Sequence, residues 1–92
     1  MALLDDNEIT QRLETSQWGR VANAIQRDFE FKDFAQAMEF VNAVAGIAED
    51  RNHHPDILVH GWNRVRLTLS THSSGGITDA DRALAGRIDA LA

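Results

Sequence analysis

The chain has 92 residues with nine Lys plus Arg against fourteen Asp plus Glu, a formal net charge of −5, and 43% apolar and 25% charged residues. That balance excludes the low-hydrophobicity, high-charge signature of disorder and lacks the clustered positive field that a nucleic-acid partner requires. The absence of cysteine removes thiolate catalysis, redox pairs and Cys-based zinc sites, and the length allows one domain over residues 1–92.

Asp5 and Asp6 precede Ile9 and Leu13, which stand four apart, so the spacing predicts a short amphipathic helix over 5–15. From Trp18 to Phe31 the pattern changes to period two. Ile25, Phe29 and Phe31 share one face, Gln26, Asp28 and Glu30 the other, and Arg27 breaks the apolar parity. A turn over 22–24, centred on Asn23, folds this stretch into a hairpin. Asp33 with Gln36 three residues on resembles a capping box, and Phe34, Ala37, Met38, Val41, Val44, Ala45 and Ala48 form the stripe of the main helix, 33–51. Gly46 within it costs about 1 kcal/mol of helix propensity, for which close approach to a neighbouring strand is the expected reason.

Residues 57–59 form a short strand and 61–63 a turn. Val65, Leu67 and Leu69 then alternate with Arg64, Arg66, Thr68 and Ser70 in the clearest strand, whose polar parity runs on to His72. Residues 73–76 are a loop, and Thr78 with Asp81 makes a capping box for a last helix carrying Leu84, Ile88 and Leu91. Strands grouped in hairpins between helices predict an α+β fold: a four-stranded antiparallel sheet with three helices on one face, in the order α-β-β-α-β-β-α. Trp18 and Trp62 read as core or interface packing, and His60 carries no assigned role.

Three of the four histidines sit at element ends: His53 and His54 after the long helix and before Pro55, and His72 after the best strand. Histidine exchanges protons near neutrality, so histidines converging on one pocket suit general acid–base work. Pro55 disfavours helical geometry at His54 and is expected to end the helix and hold the two rings apart. A metal site built from His53, His54, His72 and Asp81 is disfavoured, because adjacent ligands on a Pro-constrained turn rarely suit one ion.

The ordered series FKDF, NHHPDI, RVRLTLSTHSSGGIT and D-x-x-LA over residues 31–86 resembles the pterin-4a-carbinolamine dehydratase family, from Trp18 to about Ile88. Asn52, Trp62 and Ser73 depart from residues frequent in that family, and the segment between Trp18 and Phe31 is shorter than in animal members. The resemblance implies dehydration of 4a-hydroxytetrahydropterin, the by-product left when aromatic amino acid hydroxylases use tetrahydropterin such as tetrahydrobiopterin, to quinonoid dihydropterin. It implies catalytic roles for His53, His54 and His72, with Asp81 orienting His72, Pro55 in support, and His53, Ser70 and Thr71 binding substrate. No cofactor or metal is implied. The same family includes proteins that stabilise a transcription-factor dimer or assist assembly of carbon-fixing enzymes, an alternative role without catalysis. A homodimer or homotetramer is expected, since so short a chain buries only about 60–65% of its unfolded surface. The cytoplasm is the default location, because the amino terminus lacks a basic segment ahead of an apolar one and no apolar run reaches the roughly 20 residues of a membrane span.

Overall fold

The structure, a computed structural model, describes residues 2–92. Asp5 caps the first helix, α1 (Asp6–Leu13), its carboxylate accepting the Glu8 N–H at 2.8 Å. A hairpin of β1 (Gly19–Val21) and β2 (Ala24–Glu30) leads into α2 (Phe34–Arg51). A second hairpin, β3 (Asp56–His60) and β4 (Arg64–Leu69), leads through a 3-10 turn (His72–Ser74) to α3 (Asp79–Asp89). The four strands form one antiparallel sheet in the order β1-β2-β4-β3. This is the α+β fold, in the element order, that the sequence pattern predicts.

The hairpins join through β2 and β4, registered from Ile25 opposite Leu69 to Glu30 opposite Arg64. That register puts Ile25, Phe29, Val65, Leu67 and Leu69 on one face, all buried, where they meet Ala37, Phe40 and Val44 of α2 and Leu84, Ala85 and Ile88 of α3. Phe40 fixes α2 to β2, with ring centroids 4.6 Å from Phe29 and 5.0 Å from Phe31. Arg27 shares the helix-facing parity and is neutralised there: its guanidinium bonds Asp89 of α3 at 2.6 Å and lies 4.3 Å from the centre of the Phe29 ring. Asp89 also accepts the Trp18 indole N–H at 2.8 Å, which explains the burial of Trp18.

On the opposite, open face Arg66 of β4 donates to Asp28 of β2 at 2.7 Å. The hydrogen bond from Arg66, aided by its charge, holds the Asp28 carboxyl below its ordinary range against an opposing cost of desolvation. Among the described residues no helix is long and apolar enough to cross a membrane.

Several local expectations are corrected. The buried stripe of α2 runs through Ala37, Phe40, Val44 and Ala48, whereas Phe34 is 54% exposed and Ala45 is also exposed. At about 3.6 residues per turn Phe34 and Ala45 lie roughly 120° and 140° around the helix from Phe40, toward solvent. A side chain at Gly46 would meet nothing within 4 Å, so no close approach accounts for that glycine. Ala22, not Asn23, takes positive φ in the first hairpin turn. Trp62 lies in the second turn at φ +59 and is 63% exposed, without a place in the core. The alternation of β4 carries through to His72, with Thr71 buried and His72 exposed, although ladder pairing stops at Leu69 and the chain then bends into the 3-10 turn. Gly75 ends that turn at φ +73, where its N–H bonds the carbonyls of Thr71 and His72; a side chain would strain this conformation.

Candidate active site

The site forms where the carboxyl ends of α2 and β4 meet the amino end of α3. Helix α2 stops at Asn52, which adopts left-handed geometry at φ +50, and the following His53 N–H bonds back to the Ala48 carbonyl at 3.0 Å. This is the 6→1 closure of a Schellman-type cap, which asparagine tolerates better than most residues. The reversal therefore precedes Pro55 by three residues, and Asn52, not the proline, terminates the helix. It carries His53 back toward α3 while Pro55 leads His54 into β3.

At the start of α3 the capping box forms as expected. The Thr78 hydroxyl accepts the Ala80 N–H at 3.2 Å, and Asp81 Oδ2 accepts the Thr78 N–H at 2.9 Å. The cap uses one oxygen of Asp81. The other, Oδ1, lies 2.6 Å from His53 Nε2, with Asp81 fully buried and His53 largely so. Asp81 thus meets His53, not His72 as expected, because the Asn52 reversal brings His53 within reach while the 3-10 turn leaves His72 exposed. Among the described residues the His72 ring has no hydrogen-bonding or ionic partner.

Three further contacts complete the arrangement. The Thr71 hydroxyl donates to Asp81 Oδ2 at 2.9 Å and lies 2.7 Å from Thr78 Oγ1, both contacts buried. Glu49, in the last turn of α2, meets His54 Nε2 at 2.5 Å on the exposed side. The sequence reading missed Glu49 because a separation of five residues is not a helical-neighbour spacing; the reversal at Asn52 makes the pair. It also missed the Thr78 hydroxyl, although the capping-box motif already named that residue.

Residues 52–54 and 70–73 line one cavity of about 230 Å³. His53, His54, Ser70, Thr71 and His72 are thus brought together, with Asp81 behind His53 and Pro55 outside the cavity wall. A larger cavity of about 340 Å³ lies between α1, β2 and α3, but its walls are mainly apolar, Ile9, Trp18, Ile25 and Ile77 among them, and contain no histidine. Size favours the second cavity and chemistry the first; the first is the candidate because three imidazoles border it. With Nε2 of His53 facing a carboxylate, the ring proton belongs on Nε2, which leaves Nδ1 able to accept. The set offers proton donors and acceptors, with the side chains of Ser70 and Ser73 also on the cavity wall. Among the described residues no group of three His, Asp or Glu side chains could hold a metal ion.

Comparison with known proteins extends this geometry. The family model described as pterin 4 alpha carbinolamine dehydratase matches residues 2–91. Proteins named "Putative pterin-4-alpha-carbinolamine dehydratase" are similar over nearly the whole chain. That of Thermomicrobium roseum is 50% identical, covering 100% of this chain and 99% of its own. That of Sulfolobus acidocaldarius is 45% identical, covering 96% and 97%. Among solved structures, the transcriptional coactivator/pterin dehydratase of Brucella melitensis superposes with a TM-score of 0.92 at 37% identity, covering 99% of both chains. A pterin dehydratase-like protein identified as a RuBisCO assembly factor in the alpha-carboxysome superposes at 0.69 and 30% identity, covering 84% of this chain and 90% of its own. Sequence over nearly the full length and fold agree: the chain belongs to the pterin 4 alpha carbinolamine dehydratase family.

Proposed function

We propose that the protein dehydrates a 4a-hydroxytetrahydropterin to quinonoid dihydropterin and water by histidine acid–base chemistry. The observation that carries this reading is the single cavity bordered by His53, His54 and His72, with a buried carboxylate on His53. Hydroxide leaves C4a poorly, so an imidazolium protonates that oxygen as the N5 lone pair forms the C4a–N5 double bond; a neutral imidazole then takes the N5 proton. His54 and His72, reaching the cavity from different segments, form the acid–base pair. His53, held by Asp81, binds the pterin through Nδ1. Groups so positioned supply roughly 10² to 10⁴ in rate each. The cavity, smaller than the ~300–1,000 Å³ of drug-sized sites, suits one bicyclic ring.

In this reading the protein acts in the cytoplasm, in tetrahydropterin recycling behind an aromatic amino acid hydroxylase, and copies associate through the free edge of β3, where Ile57 and Leu58 are exposed. The test is the decay of synthetic 4a-hydroxytetrahydropterin, followed by absorbance with and without protein. Acceleration proportional to protein concentration is expected, and identical decay in both samples refutes the reading. A second reading, an assembly or coactivator module, is favoured by the described roles of the two solved relatives and by exposed Leu58 and Trp62 on the β3–β4 hairpin. It takes precedence if the folded protein leaves the decay unchanged.

A further inference from the structure

Thr71 borders the histidine cavity, where its motif position implies contact with substrate, yet its hydroxyl is already committed. The residue is 5% exposed; its single hydroxyl proton goes to Asp81 Oδ2 at 2.9 Å, and its oxygen sits 2.7 Å from Thr78 Oγ1. Asp81 Oδ2 also accepts the Thr78 N–H at 2.9 Å. Two donors therefore occupy the two lone-pair positions of Oδ2, and the only other carboxylate oxygen, Oδ1, faces His53 Nε2 at 2.6 Å. A carboxylate whose far oxygen is held by two donors is fixed in rotation, and its near oxygen is presented to His53 as an acceptor.

From this geometry we infer that Thr71 is a positioning residue: its hydroxyl, held by Thr78, fixes Asp81 as the acceptor for His53 and thereby selects the Nε2–H tautomer, leaving Nδ1 to accept an N–H of the pterin. The inference rests on the proposed function for its ligand, but the tautomer belongs to the free protein. Thr71→Val keeps the β-branched shape and removes the donor, whereas Thr71→Ser restores it.

The experiment is ¹⁵N NMR of the imidazoles in the free, full-length protein near neutral pH, combined with dehydration kinetics. In the wild type the His53 proton is expected on Nε2. In Thr71→Val the Nε2–H signal is expected to lose population to Nδ1–H, with kcat/KM falling about tenfold, chiefly through KM, and Thr71→Ser is expected to recover both. A folded Thr71→Val protein with unchanged His53 signals and kcat/KM within about twofold of wild type overturns the inference. Nδ1–H as the dominant tautomer in the wild type overturns it without any variant, which covers a valine protein that fails to fold. A wild type that shows the expected tautomer but does not accelerate pterin decay refutes the proposed function while supporting the positioning role of Thr71.

Discussion

Replacing Asp81 by asparagine separates its two duties. Its side chain has no solvent exposure and accepts the Thr78 N–H, the Thr71 hydroxyl and His53 Nε2 at 2.9, 2.9 and 2.6 Å. An asparagine side chain has one acceptor oxygen. To keep the cap and the Thr71 bond, that oxygen must occupy the Oδ2 position, which turns the NH2 group toward His53. The ring then has to offer a lone pair at Nε2 and move its proton to Nδ1. The cap and Thr71 bonds, charge-assisted at about 1.5–3 kcal/mol each, become neutral ones of about 0.5–1.5, a loss of about 2 kcal/mol before any change at the His53 contact is counted. For a domain of this size that lowers Tm by about 8–16 °C. Asp81→Ala goes further, leaving the buried Thr71 hydroxyl and Thr78 N–H without their acceptor at about 1–3 kcal/mol each, about 2–6 kcal/mol in total. Activity of Asp81→Asn should fall about 10²-fold or more through the inverted tautomer. Thermal melts by circular dichroism and pterin-decay kinetics, run well below the melting point of the variant, measure both effects. Asparagine and alanine proteins melting together, within about 2 °C of wild type, would refute the argument from buried acceptors. A destabilised Asp81→Asn enzyme with full kcat/KM would refute the tautomer argument alone.

His54→Ala and His72→Ala should each lower the dehydration rate at least roughly tenfold with an unchanged circular dichroism spectrum; near-normal turnover in both removes these rings from the mechanism. Leu67→Ala, at a fully buried position in the central strand β4, should cost about 2–5 kcal/mol in a urea titration, and a loss below about 1 kcal/mol would mean that the sheet-to-helix interface is not close-packed there. Because Arg66 holds the Asp28 carboxyl below its ordinary value, the pair stabilises the fold above the unfolded carboxylate range near pH 4 and ceases to do so as pH falls through the lowered folded value. The difference in urea midpoint between wild type and Asp28→Asn should therefore shrink on acidification below about pH 4 and weaken in high salt, and a difference independent of pH contradicts this.

Sequence pattern made the sheet legible because side chains in a strand alternate with period two, and a buried face permits only one register. Val65, Leu67 and Leu69 identified β4, and Ile25 with Phe29 identified its partner β2. The capping box at Thr78 and Asp81 was equally legible, since its bonds join residues three apart along the chain. The face of α2 was harder to fix: a helix rich in alanine offers several near-equivalent apolar stripes, and only the aromatic contact of Phe40 with Phe29 and Phe31 selects one.

Local signals therefore determined the element order, the capping motifs and the presence of histidines at element ends. Tertiary structure alone decided which carboxylate serves which histidine. The left-handed turn at Asn52 aims His53 at an aspartate 28 positions away and His54 back at Glu49. Backbone reversals of this kind are set by a single residue's φ and ψ, and they redirect every side chain that follows. Periodicity records which face a residue occupies, but it carries no information about the partner that meets it across the fold.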